Sequence, residues 1–217
     1  MGFDFDGTLI MSEELKALQF VRIFKERFNV EKGVLSCYKR ISRKGINREE
    51  KIRLLFEHFL KRKPTSSELK ELDDEFGRYY EQSLKTCPLF QCTNIIRDLK
   101  KQVDFLFLLS LENKREVERL VRHCGLSIYF DEILGGPTAK VDNLKYVLAK
   151  HHLKASEVLY IGDSTSDIIA SRKVKVKVVL IQKKFSYHQL LETLETDFVF
   201  SSLCEVPTMI EKFERRR

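Results

Sequence analysis

Residues 103–109 read Val-Asp-Phe-Leu-Phe-Leu-Leu, apolar at every position except Asp104. A stretch of this kind keeps no face for water. It therefore predicts a strand buried on both sides, as in a parallel sheet covered by helices. The chain around it keeps the same rhythm. Helical spacing at 94–101 precedes it, and helices at 115–124, 143–151, 167–173 and 187–194 alternate with strands at 129–134, 158–161, 176–181 and 197–200. Gly125 stands where the first of these helices needs a terminating residue. Strands alternating with helices imply right-handed crossovers and a doubly wound sheet.

The N-terminal part differs. A short apolar stub leads to Asp4, and then the chain turns helical. Over 13–28, Leu15, Leu18, Val21, Phe24 and Phe28 recur at three and four. Helices at 49–62 and 67–84 follow, the latter opened by the capping run Pro64-Thr65-Ser66-Ser67-Glu68. The expected fold is α/β: a doubly wound, Rossmann-like parallel sheet core, residues 1–12 and 86–217, with an inserted all-helical cap domain, residues 13–85.

Composition narrows the function classes. A chain of 217 residues with 43% hydrophobic residues builds a real core, and 39 basic against 32 acidic residues give a net charge of +7. That field favours anionic partners without choosing among them. No apolar run approaches the ~20 residues of a spanning helix, so no membrane partner is expected. The start Met1-Gly2-Phe3-Asp4 has none of the pattern of a secretion signal. Five cysteines, an odd number without a C-x-x-C pair, predict reduced thiols, no zinc site and a cytoplasmic setting. A monomer or homodimer is expected.

Four polar clusters fall at the carboxyl ends of predicted strands, where open α/β sheets bind ligands. They are Asp4-Phe5-Asp6-Gly7-Thr8, then Ser110, then Lys140 after Gly135-Gly136-Pro137, and lastly Gly162-Asp163-Ser164-Thr165-Ser166-Asp167. Each has a plainer reading. D-x-D-G also opens a calcium loop, but here glycine comes fourth instead of sixth and Leu15 takes the twelfth position. Asp163 and Asp167 could cap a helix, Ser110 could satisfy local backbone, and Lys140 has Lys145 and Lys150 as rivals.

Taken in order, the four clusters resemble the haloacid dehalogenase superfamily, in particular its phosphoglycolate phosphatase and β-phosphoglucomutase-like branch. The resemblance covers nearly the whole chain. The 29 positions between Ser110 and Lys140 are too few for a large second cap, whereas the helical block after the first strand matches the smaller one. The resemblance implies a phosphatase acting on a small phosphorylated substrate. Asp4 would be the nucleophile that forms an aspartyl-phosphate and Asp6 the general acid and base. Ser110 and Lys140 would hold the phosphoryl oxygens. Mg²⁺ would be bound by Asp4, Asp163 and the Asp6 carbonyl, with Asp167 in support. A dianionic ester attacked by a carboxylate needs that repulsion cancelled, and a hard cation supplies this. Arg43 and Lys44, in a loop expected over 38–47, are candidates for a second anionic group on the substrate.

Several positions depart from the family pattern. Only three residues precede Asp4, Met11 stands where an acid is common, and Val141 replaces a common proline. Lys175 takes a usual glycine position, and Glu112 puts an anion close to the phosphate site. A phosphomutase shares every motif, and a phosphonatase would need a cap lysine such as Lys44. Dehalogenase chemistry has no use for Asp6. From another class, a vestigial basic protein would use its charge on nucleic acid, a partner not expected here.

Overall fold

The computed structural model describes residues 1–42, 44, 46–84, 89–181 and 196–214. Among these, strands β1 (Gly2–Asp4), β2 (Phe107–Asn113), β3 (Glu132–Gly136), β4 (Leu159–Gly162), β5 (Lys177–Ile181) and β6 (Phe198–Phe200) form one sheet. Its order is β3-β2-β1-β4-β5-β6 and every pairing is parallel. The fold is thus the doubly wound α/β architecture read from the strand and helix rhythm. β1 lies between β2 and β4, with Asp4 opposite Leu109 and Phe3 opposite Ile161. The strand order reverses at β1, so the binding crevice of this topology opens at its carboxyl end.

Successive strand residues face opposite sides of the sheet. Phe107, Leu109, Tyr160 and Val178 pack with Leu144 and Val147 of α7 (Lys140–Lys150) and Ala170 of α8 (Thr165–Val174). Phe3, Leu108, Ile161 and Val179 pack on the other side. There they join Ile96 and Leu99 of α5 (Ile95–Leu99), Val117 and Val121 of α6 (Lys114–His123), and Val206 of α9 (Val206–Glu214). Gly2 has no alternative residue at this density. A Cβ there would lie 2.4 Å from ring carbons of Phe107 and 2.8 Å from the Tyr160 ring.

Between β1 and β2 the chain forms α1 (Glu13–Phe28), α2 (Val34–Ser42), α3 (Arg48–Leu60) and α4 (Ser66–Ser83). α1 packs on α2 and α4, α3 packs on α2 and α4, and α4 touches α6. Aromatic contacts knit these helices together, with Phe20 of α1 against Tyr38 of α2 at 4.9 Å and Phe76 of α4 at 4.7 Å. Thr65 caps α4 by accepting the Glu68 N–H, while the Glu68 carboxylate accepts the Thr65 N–H.

Several expectations are corrected. β2 begins at Phe107, because the Val103 N–H is taken by the Leu99 carbonyl and the Leu106 N–H by the Asp131 carboxylate. The strand runs on to Asn113 with a register shift after Leu109, so Ser110 and Glu112 lie inside β2. The helix expected over 143–151 starts earlier, at Lys140, so Lys140 opens it. α2 was not expected, and it places residues 38–42 on a helix instead of a loop. α1 has the expected bounds but a different buried face. Lys16, Ala17, Gln19, Phe20, Ile23 and Phe24 are buried, while Leu18 is 54% exposed. The helix carries apolar residues on much of its circumference, and contacts with α2 and α4 decide which are covered. Cys92 and Cys204 form a disulfide across 112 residues of sequence, against the expectation of reduced thiols. Their pairing depends on a proximity that spacing does not reveal. The helix expected at 187–194 lies outside the described residues.

Gly2→Ala tests the sandwiching of β1. Overpacking of this kind costs about 1–3 kcal/mol, and denaturant unfolding should show that loss, whereas unchanged stability would refute the close approach.

Candidate active site

The chain leaves β1 through a tight turn. The Gly7 N–H donates to the Ile10 carbonyl at 2.9 Å, and the Leu9 and Ile10 N–H groups donate to the Phe5 carbonyl at 2.9 and 3.1 Å. Gly7 has φ +81°, and a Cβ on it would lie 2.3 Å from Asp163 Oδ2. Only glycine satisfies both the left-handed backbone and the approach of the loop after β4. Asp4 and Asp163 are thereby brought to one point from two neighbouring strands.

Lys140 completes this cluster from the first position of α7. Its Nζ donates to Asp4 Oδ1 at 2.7 Å and to Asp167 Oδ1 at 2.6 Å. Asp167, in the first turn of α8, also accepts the Tyr160 hydroxyl at 3.1 Å and the Ser164 N–H at 3.0 Å. Carboxylate oxygens of Asp4, Asp163 and Asp167 lie within 4.8 Å of one another. Burial, and after it the Asp167 charge, push the Asp4 carboxyl well above its ordinary range, with Lys140 pulling the other way and Asp163 adding to the rise. Asp4 and Asp167 thus share one ammonium, with the Asp163 carboxylate close by. A set of three carboxylate oxygens this close together fits a hard divalent cation such as Mg²⁺.

Asp6 occupies a different environment two residues on. Its Oδ1 accepts the Ser12 hydroxyl at 2.5 Å and the Tyr80 hydroxyl at 2.9 Å, and Lys16 Nζ lies 2.8 Å away. Its Oδ2 accepts the Ser110 hydroxyl at 3.3 Å. Ser110 Oγ in turn accepts the Glu112 N–H at 3.1 Å. The Glu112 carboxylate meets Lys16 Nζ at 2.9 Å and Arg48 Nη2 at 2.7 Å, and Arg48 also pairs with Glu116. Burial alone would raise the Glu112 carboxyl, but Lys16 and Arg48 hold it far below the usual carboxylate range. Burial would lower Lys16, and Asp6 and Glu112 lift it well above its ordinary value instead.

The four strand-end clusters therefore converge on one sheet edge. Asp4, Asp163, Asp167 and Lys140 form one group, and Asp6 with Ser110 forms its neighbour. Sequence reading missed Lys16, Arg48 and Tyr80, which the helices between β1 and β2 bring to the second group. Lys16 carried a weak signal, since it lies between Leu15 and Ala17 in a helix rich in apolar residues. Lys44 is exposed in the turn after α2 and takes no part in these contacts. Arg43 lies outside the described residues.

A family model described as haloacid dehalogenase-like hydrolase matches residues 2–181. Phosphoglycolate phosphatase of Pasteurella multocida (strain Pm70) is 26% identical over 151 residues, covering 66% of this chain and 67% of that protein. A crystal structure described as a predicted phosphoglycolate phosphatase from Haemophilus somnus 129pt superposes with a TM-score of 0.79 at 21% identity, covering 96% of each chain. YfnB of Bacillus subtilis, in a structure bound to magnesium, gives a TM-score of 0.75 at 19% identity over 97% of each chain. At such identities the two solved structures support the fold alone.

The Glu112 environment makes a pH prediction. Its folded value lies below its ordinary 4.5, so its contribution to stability is complete above that pH and is lost as the pH falls. Wild-type unfolding free energy should therefore drop more steeply between about pH 5 and 3 than that of Glu112→Gln. Equal slopes in a denaturant series would refute the pairing.

Proposed function

The chain belongs to the haloacid dehalogenase-like hydrolase family, and from that premise we propose that it is a Mg²⁺-dependent phosphatase of a small phosphorylated metabolite working through an aspartyl-phosphate. The observation that carries this reading is the convergence of Asp4, Asp163 and Asp167 around Lys140 at the carboxyl end of β1, with Asp6 two residues on. The curated relative named above acts on a phosphate monoester, which agrees with it.

In this reading an Asp4 carboxylate oxygen attacks phosphorus in line, and the bond from phosphorus to the leaving oxygen breaks. Asp6 gives its proton to that leaving oxygen. Asp6 then takes a proton from the water that attacks the aspartyl-phosphate, which frees phosphate and restores Asp4. Ser110, whose hydroxyl lies 3.3 Å from Asp6 Oδ2, is placed to donate to a phosphoryl oxygen. Lys140 neutralises charge on Asp4 and on the phosphoryl group, and Asp167 holds the Lys140 ammonium in position. Asp4, Asp163 and the Asp6 carbonyl would hold the cation, which supplies the charge that lets an anionic nucleophile approach a dianionic ester. Residues 13–85 act as a cap over the leaving group, and residues 1–12 and 86–217 are the catalytic core.

Asp4→Asn should abolish turnover with the fold retained, because an amide does not attack phosphorus. Asp6→Asn should slow it by about 10²–10⁴, the usual worth of acid–base catalysis. Near-parental phosphatase rates in Asp4→Asn would sink the mechanism. Asp163→Ala should sharply raise the Mg²⁺ concentration needed for half-maximal rate, since Mg²⁺ is held by few protein carboxylates. Full wild-type activity in excess chelator would contradict the metal's role.

A further inference from the structure

Buried charges lie beneath the helices between β1 and β2, beside the strand-end site. Lys16 of α1 and Arg48 of α3 are the buried cations that these helices bring to the strand ends. Both are already engaged. Glu112 bridges them, with Oε1 at 2.9 Å from Lys16 and Oε2 at 2.7 Å from Arg48. Lys16 is further shared with Asp6 at 2.8 Å and Glu13 at 3.9 Å. Arg48 is further shared with Glu116, and with Asp73 at 3.5 Å. A third cation, Lys51 of α3, stands 5.5 Å over the Tyr38 ring in the field of Glu13 and Glu112. Among these described residues, five carboxylates thus face three cations. An incoming carboxylate or second phosphate would meet net negative charge.

The same place offers groups suited to a neutral, hydroxyl-bearing partner. Tyr38 Oη and Ser42 Oγ, both on α2, are buried close to each other and bond to no other side chain. Burial, with Glu13 next, pushes the Tyr38 hydroxyl above its ordinary range, so it stays a donor. Buried hydroxyls of this kind are costly unless something bonds to them. An alcohol of the substrate would bond to them, whereas a carboxylate would find Lys16 and Arg48 already paired with Glu112.

We propose that Glu112 is a specificity-determining residue, whose carboxylate occupies Lys16 and Arg48 and so restricts turnover to phosphomonoesters with an uncharged, hydroxyl-bearing leaving group. This rests on the phosphatase reading above. Glu112 acts without touching the phosphoryl group. Its N–H bond to Ser110 Oγ fixes where the carboxylate stands, so the charge is built into the strand that carries the phosphate-binding serine.

The test compares kcat/KM of the 217-residue chain with Mg²⁺ on 2-hydroxyethyl phosphate and 2-phosphoglycolate, which differ in a CH₂OH against a carboxylate. The wild type should favour the alcohol by about 10-fold or more. Glu112→Gln should move the ratio towards 2-phosphoglycolate by about 10-fold, and Glu112→Asp should keep the wild-type preference. A merely structural role would lower both rates together and leave the ratio in place, which would overturn the proposal. Preference of the wild type for 2-phosphoglycolate would overturn it without any variant. No turnover of either ester or of p-nitrophenyl phosphate would instead overturn the phosphatase reading, and this inference with it.

Discussion

One buried ammonium, Lys140 Nζ, stands between the buried carboxylates of Asp4 and Asp167, and the carboxyl edge of the sheet is organised around that shared charge. Taking a charge out of water costs several kcal/mol, so a buried carboxylate needs a partner held in good geometry. Lys140 can serve two, and Asp163 makes a third. The three acids stay together because the backbone holds each of them. Asp4 is held by strand pairing on both sides, Asp167 by the first turn of α8, and Asp163 by the contact that only Gly7 permits. The result is an anionic cluster suited to a cation, with Asp4 and Asp167 on a strand and a helix and Asp163 in the loop after β4.

The second charged group links that edge to the helices between β1 and β2. Asp6 is held from the helix side by Lys16 and Tyr80 and from the strand side by Ser110. Moving those helices away from the sheet would break the Tyr80 and Lys16 contacts to Asp6 and the Lys16 and Arg48 contacts to Glu112 together. The position of Asp6 is thus set jointly by the sheet and by these helices.

Much of this was legible in the residues. The alternation of apolar strands and helices gives the sheet. The strand-end acids, Ser110 and Lys140 fall where that topology binds ligands. What stayed hidden has physical reasons. A lysine or arginine in an amphipathic helix reads as solvated, since such residues are rarely buried unless paired. Lys16 and Arg48 are buried because Glu112, some 64 to 96 positions away, is there to pair with them. Leu18 fits a helical stripe yet is exposed, because helix α1 had more apolar residues than its partners could cover. The Cys92–Cys204 bond likewise depends on two turns far apart in sequence meeting in space.

The central claim is that the Asp4 carboxylate, at the end of β1, takes the phosphoryl group. The direct measurement is acid quench of the Asp6→Asn protein during turnover with Mg²⁺, followed by mass mapping of its peptides. With p-nitrophenyl phosphate, whose leaving group needs no proton, loss of Asp6 slows mainly the second step, so one phosphoryl group is predicted to accumulate on Asp4 and nowhere else. Phosphate release by that variant with no adduct at Asp4, or a phosphoryl group on another residue, would contradict the account.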